Sequence, residues 1–165
     1  MRLFIAVQLN KKFRNALLDM QDDMMEQGVQ GNFTPVENLH ITLAFIGEYS
    51  DPLEVLEVVR SIKFQPVRIS LEGVGAFGDL WWAGVGEGSD KLKDLASKLR
   101  RGLADAGIPF DKKRFSPHIT LVRRARYTDG FVPEEEGSKP RMIVDRISLM
   151  RSDRTKHGMV YTEIK

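Results

Sequence analysis

The tetrapeptide His-Ile-Thr-Leu occurs twice, at His40 to Leu43 and at His118 to Leu121, with the second copy starting 78 positions after the first. The same offset carries Ile5 onto Ala83 and Leu17 onto Leu95, so a strand, a helix and a second strand recur in register. A repeat of this kind restricts the chain to two copies of one α/β unit related by a pseudo-twofold axis. Both histidines are then expected to line one shared groove. With 165 residues and 42% hydrophobic content the chain has the size and composition of one globular domain, so residues 1–165 are read as one domain of two pseudo-symmetric lobes.

Periodicity assigns the elements. Leu3 to Leu9 is an apolar run suited to a buried strand, and Asn10 offers an N-cap to a helix whose Phe13, Ala16, Leu17, Met20 and Met24 share one face before Gly28. A loop passes through Pro35. From Leu39 to Phe45 the chain alternates, with Leu39, Ile41, Leu43 and Phe45 on one side and His40, Thr42 and Ala44 on the other. Asp51, Pro52 and Glu54 start a second helix, and Val67 to Glu72 alternates as a strand. Gly73, Gly75 and Gly78 spell G-x-G-x-x-G, but Leu80 to Val85 reads as a further strand and not a helix. The phosphate cradle is therefore missing, and the glycines are read as a connection between strands.

Ser89 is placed as the cap of a third helix, with Leu92, Leu95, Ala96, Leu99 and Leu103 on its apolar stripe and Gly107 at its end. A strand after Pro117 puts His118, Thr120 and Val122 on one side and Ile119 and Leu121 on the other. Gly130 to Pro140 reads as a polar surface loop suited to a mobile flap. Arg146 to Arg151 and Met159 to Ile164 read as two strands joined through a turn near His157 and Gly158.

The chain has no cysteine, which excludes thiol nucleophiles, thiolate metal sites and disulfides and makes the cytoplasm the default compartment. No stretch approaches the ~18 apolar residues of a membrane helix, so no membrane partner is expected. The balance of 25 Lys plus Arg against 23 Asp plus Glu does not by itself mark a polyanion binder. Lys112, Lys113, Arg114, Arg123, Arg124 and Arg126 crowd into one short stretch around the second histidine, where an anion would be attracted, although charge alone reads as a solvated basic face.

In an extended strand, H-x-T sets imidazole and hydroxyl on one face roughly 7 Å apart, which suits the grip of one small anion. Two imidazoles titrate close to neutral pH, so one protonated and one neutral ring supply an acid and a base together. A zinc site lacks a third ligand, because no Asp or Glu accompanies either tetrapeptide and Thr is a poor ligand; no metal and no cofactor are expected. A Ser-His-Asp triad through Ser116 has no elbow motif around it. His157 is assigned no role. Trp81, Trp82 and Phe45 are aromatic residues near the groove that could stack on a planar ligand, although core burial is the first expectation for each; the repeat aligns Trp82 with Phe4, so one tryptophan packs inward while its neighbour faces the groove.

The paired H-x-T-x strands, the R-L-F-I-A-V start at Arg2, the run N-L-H-I-T-L-A-F-I-G from Asn38 to Gly47 and P-H-I-T-L from Pro117 resemble the two-histidine phosphoesterase superfamily, in its LigT-like branch of RNA 2',3'-cyclic phosphodiesterases, also described as 2'-5' RNA ligases. The resemblance implies an α+β, bilobal fold in which two antiparallel sheets line a central cleft with helices outside. It also implies metal-independent opening of a cyclic phosphate to a 2'-phosphomonoester. By similarity His40 would be the proton donor and His118 the proton acceptor, with Thr42 and Thr120 donating to the non-bridging oxygens. The residues themselves do not decide which ring starts protonated. The family's Arg five residues after the second His is matched by Arg123, which strict alternation puts on the wrong face unless the strand ends or bulges; Arg126 is the substitute. The implied partner is an RNA bearing a 2',3'-cyclic phosphate end, tRNA fragments included, acted on by a monomer, with 2'-5' joining as the chemical reverse. Two other readings remain open: a binding module that holds an RNA or tRNA end without turnover, and a phosphodiesterase for a smaller cyclic nucleotide.

Overall fold

Capping and alternation resolve into elements close to where periodicity puts them. In the computed structural model, which describes residues 1–127 and 139–165, β1 (Arg2–Gln8) leads into α1 (Lys11–Glu26) through Asn10, whose side-chain oxygen accepts from the Phe13 amide at 2.9 Å. After β2 (Gln30–Phe33) and a 3-10 turn (Val36–Asn38) come β3 (His40–Glu48) and α2 (Pro52–Ser61), which is capped by Asp51. A hairpin of β4 (Val67–Phe77) and β5 (Leu80–Val85) precedes α3 (Ser89–Asp105) and β6 (His118–Arg126). The chain finishes with β7 (Arg141–Val144), β8 (Ser148–Thr155) and β9 (Gly158–Ile164). The flap expected over Gly130 to Pro140 falls, except for Lys139 and Pro140, outside the described residues.

Two antiparallel sheets form, in the strand orders β3-β1-β8-β9 and β2-β6-β5-β4-β7. The 78-residue offset maps β3 onto β6 residue for residue and carries α1 and α3 onto each other within one residue at the C-terminal end. The α+β class is as expected, with one addition: the halves exchange strands. β2 leaves the first half to pair with β6, and β8 and β9 return from the C-terminus to cover β1. Periodicity gives a loop in place of β2 because Gln30-Gly31-Asn32 carries no apolar alternation; pairing with β6, and not its own propensity, makes it a strand. β7, with only four residues, is too short to show a pattern.

The core lies between the sheets and the helices. Leu3, Ile5 and Val7 of β1, Ile41 and Leu43 of β3, and Ile119 and Leu121 of β6 are buried against Phe13, Leu17, Leu92 and Leu99 of the helices. Each such side chain removed from water contributes roughly 1.5–3 kcal/mol. The opposite sheet faces carry the polar members of the alternation and are left to form a site.

Two local expectations are corrected. Ser89 does not cap α3: Gly88 holds the N-cap position in a left-handed conformation, its carbonyl accepts from Leu92 N at 2.9 Å, and Ser89 is the first helical residue. The glycine-rich stretch is not a connection. β4 runs through Gly73 and Gly75 to Phe77, and only Gly78 and Asp79 make the turn. Gly73, at φ 82°, serves the register shift between Leu71 and Val74, where a side chain would be strained.

Candidate active site

Each histidine strand carries a bulge just after its tetrapeptide begins. On β3, Ile5 pairs with Ala44 and Ala6 with Thr42, leaving Leu43 as the extra residue; on β6, Trp81 pairs with Val122 and Trp82 with Thr120, leaving Leu121 extra. A bulge changes the phase of side-chain alternation. Ala44 and Val122, expected on the histidine faces, are fully buried in the main core instead. The residues after them swing the other way. Phe45, expected on the apolar side, joins Phe4, Ala6, Met150 and Tyr161 on the His40 face and carries the Arg2 guanidinium 5.1 Å over its ring. Arg123, its counterpart at the 78-residue offset, follows the β6 bulge in the same way, and its charge reaches His40.

The two imidazoles are held alike. His40 Nδ1–H donates to the carbonyl of Asn38 at 2.6 Å, and His118 Nδ1–H donates to the carbonyl of Ser116 at 2.7 Å, two residues upstream in both cases. A carbonyl accepts only, so each Nδ1 keeps its proton and each Nε2 becomes the nitrogen that gains or loses one. Nε2 of His40 lies 2.8 Å from Thr42 Oγ1. Thr120 stands two residues after His118 on the same half-buried face.

The surroundings of the rings differ. His40 sits against Phe4 (5.0 Å between centroids) and edge-on to Tyr161 (5.4 Å), and Asn38 Nδ2 ties this corner to the Met159 carbonyl of β9 at 2.9 Å. Burial holds the His40 imidazole below its ordinary range; the Asn38 carbonyl opposes this, while the charges of Arg123 and His118 add to it. The charges of Arg123 and His118 reach His40, and β3 and β6 approach within 8 Å between Cα atoms. His118 is more open, with Phe77 edge-on at 5.5 Å and Trp82 at 6.3 Å.

Trp82 is therefore the tryptophan on the histidine side, while Trp81 packs against the core with its ring 5.8 Å from Tyr127. A Cβ on Gly75 would lie 2.3 Å from the Trp82 ring, so a glycine there lets the indole lie this close to β4. This is the use of the motif that composition alone could only reject as a phosphate loop.

Arg126 is not brought to the imidazoles. It lies exposed opposite Gln30, eight residues beyond His118, roughly 25 Å along an extended strand. Lys112, Lys113 and Arg114 belong to a segment laid along the open edge of β3, where Asp111 N donates to the Phe45 carbonyl at 2.8 Å. His157 sits exposed in the β8–β9 turn. Ser116 contributes its carbonyl and no triad. Sequence reasoning does not find Asn38, Tyr161 or Phe77; only the equal spacing of Asn38 and Ser116 before the histidines points to the first. Among the described residues no group of three or more His, Asp or Glu could hold a metal ion, and no helix is long and apolar enough to cross a membrane.

The two H-x-T strands repeat one arrangement, a histidine whose Nδ1 is tied to a main-chain carbonyl two residues upstream. The sequence profile of the 2'-5' RNA ligase superfamily matches residues 30–156, and the chain belongs to that family. It is 39% identical over 161 residues to the RNA 2',3'-cyclic phosphodiesterase of Aeropyrum pernix, covering 88% of this chain and 90% of that protein. The Aquifex aeolicus protein of the same name is 30% identical over 181 residues, covering 99% and 95%. Among solved structures, E. coli LigT complexed with 3'-AMP matches with a TM-score of 0.83 and 27% identity over 99% of this chain and 94% of LigT. The protein TT0787 of Thermus thermophilus matches with a TM-score of 0.82 and 30% identity over 100% and 96%.

Proposed function

We propose that this chain is an RNA 2',3'-cyclic phosphodiesterase in which His40 and His118 are the acid and base of one ring-opening step. The observation that supports the reading is the matched pair of Nδ1–carbonyl bonds on two strands that approach within 8 Å between Cα atoms. His118 Nε2 takes a proton from water as its oxygen bonds to phosphorus. The bond from phosphorus to the 3'-oxygen breaks, and His40 Nε2–H supplies that oxygen with its proton, leaving a 2'-phosphomonoester. Thr42, Thr120 and the Arg123 fork hold the non-bridging oxygens, where negative charge sits through the transition state. Trp82 and Phe45 supply aromatic surface for the terminal base. With an RNA 5'-hydroxyl in place of the attacking water, the same ring opening breaks the bond to the 3'-oxygen and joins the two ends through a 2'-5' linkage.

Burial, with the Arg123 charge adding to it, holds the His40 imidazole below its ordinary range. A bound cyclic phosphate brings a negative charge that offsets the Arg123 charge and raises the His40 pKa, so the acid form gains population with substrate present. The test is turnover of an RNA ending in 2',3'-cyclic phosphate, with the product identified and both kinetic constants followed against pH. The expected product carries its phosphate on the 2'-oxygen, and a chelator leaves the rate unchanged. The limb that His40 sets in kcat/KM, which reports the free enzyme, falls at lower pH than the one it sets in kcat. A 3'-phosphate product, or limbs in the opposite order, contradicts the assignment of His40 as donor.

A further inference from the structure

Gln21 lies in the apolar stripe of α1 between Leu17 and Met24 and is only 3% exposed. Its amide nitrogen donates to two main-chain carbonyls, Thr34 at 2.9 Å and Leu121 at 3.0 Å. Leu121 is the bulge residue of β6, and its carbonyl also accepts from Thr34 N at 3.0 Å. The other half repeats the device with a different side chain: the carbonyl of Leu43, the bulge residue of β3, accepts from Arg100 Nε of α3 at 3.2 Å. The bulge at the last residue of each tetrapeptide is thus held by a polar side chain from a helix.

We propose that Gln21 is a positioning residue for Arg123: by holding the Leu121 carbonyl it fixes the bulge that turns the guanidinium toward the cleft, and so sets the grip on the phosphate of the RNA end. This rests on the reading of Arg123 as a phosphate-binding residue. Leu121 stands two residues before Arg123, so any relaxation of the bulge toward regular alternation rotates Arg123 away from His40. His118 lies before the bulge and is held separately by Ser116. Loss of Gln21 therefore weakens substrate capture and leaves the proton transfers in place.

Gln21→Met keeps the length of the side chain and removes both donors. The experiment measures kcat, KM and Tm with an RNA oligonucleotide ending in 2',3'-cyclic phosphate for the wild type, Q21M, R123A and the double variant. Q21M is expected to raise KM about five- to tenfold with kcat within about twofold. R123A raises KM further, and the double variant is no worse than R123A alone, because the two substitutions remove the same grip. KM effects that add in full, or a loss confined to kcat, overturn the proposal in favour of a purely structural Gln21. An unchanged KM in Q21M alongside a raised KM in R123A also overturns it while leaving the role of Arg123 intact, whereas an unchanged KM in R123A removes that role itself. If Q21M does not fold, Gln21→Glu carries the same test: when protonated it donates one of the two bonds, so its KM falls as the pH is lowered, and a KM equal to wild type at every pH overturns the proposal.

Discussion

Replacing His118 by alanine is expected to lower turnover of a cyclic-phosphate RNA by about 10²- to 10⁴-fold, the usual contribution of one general acid or base, with the fold retained. The side chain is half-buried at the start of β6, and its polar contact is the Ser116 carbonyl, which faces the open side of the cleft where water replaces the lost donor. The stability cost is on the order of 1 kcal/mol. His40→Ala is expected to lower turnover by a similar factor and to cost more stability, because that ring also packs between Phe4 and Tyr161. Rate measurement beside a melting curve separates the two losses. Full activity in either variant contradicts the acid–base pair.

Arg123→Ala has the second largest expected effect, a fall in kcat/KM of about 10- to 100-fold carried mainly by KM, as suits the loss of a charge-assisted grip on phosphate. Arg123→Lys recovers only part of it, since an ammonium cannot reproduce the planar fork. The substitution has a second consequence. Arg123 is one of the cations that depress His40, so its removal raises the His40 pKa in the free enzyme. The limb of kcat/KM that His40 sets therefore moves to higher pH in R123A, while burial, the larger cause, keeps it below the ordinary imidazole range. A profile in which neither limb moves up shows that the guanidinium does not face His40.

The repeat makes much of the architecture legible. The 78-residue offset places α1, α3, β3 and β6, and the H-x-T spacing sets imidazole and hydroxyl on one face in both halves. It also makes Trp82 the counterpart of Phe4, although only the coordinates show that Trp82 and not Trp81 meets the histidine. Strict period-two reading fails at one kind of place. It puts Phe45, Ala44 and Val122 on the wrong faces because a bulge inserts one residue, and Leu43 or Leu121 looks like any other strand leucine. What fixes each bulge lies far away in sequence, in Gln21 and Arg100. A polar residue at helical spacing from Leu17, inside an otherwise apolar stripe, is the available sign of the first. Strand exchange between the halves is illegible for a similar reason, since β2 depends on its partner β6 and not on its own composition.

The central claim is that the two imidazoles face one phosphate, and the chain has only three histidines with which to test it. Protein labelled with ¹⁵N-histidine can be titrated with a nucleoside 2'-monophosphate, the product-like ligand, while the Nε2 resonances are followed. The account predicts that the signals of His40 and His118 move together, saturating at the same ligand concentration, with His157 unmoved as the internal control. Movement of one cleft histidine alone, or of the two at different concentrations, contradicts it.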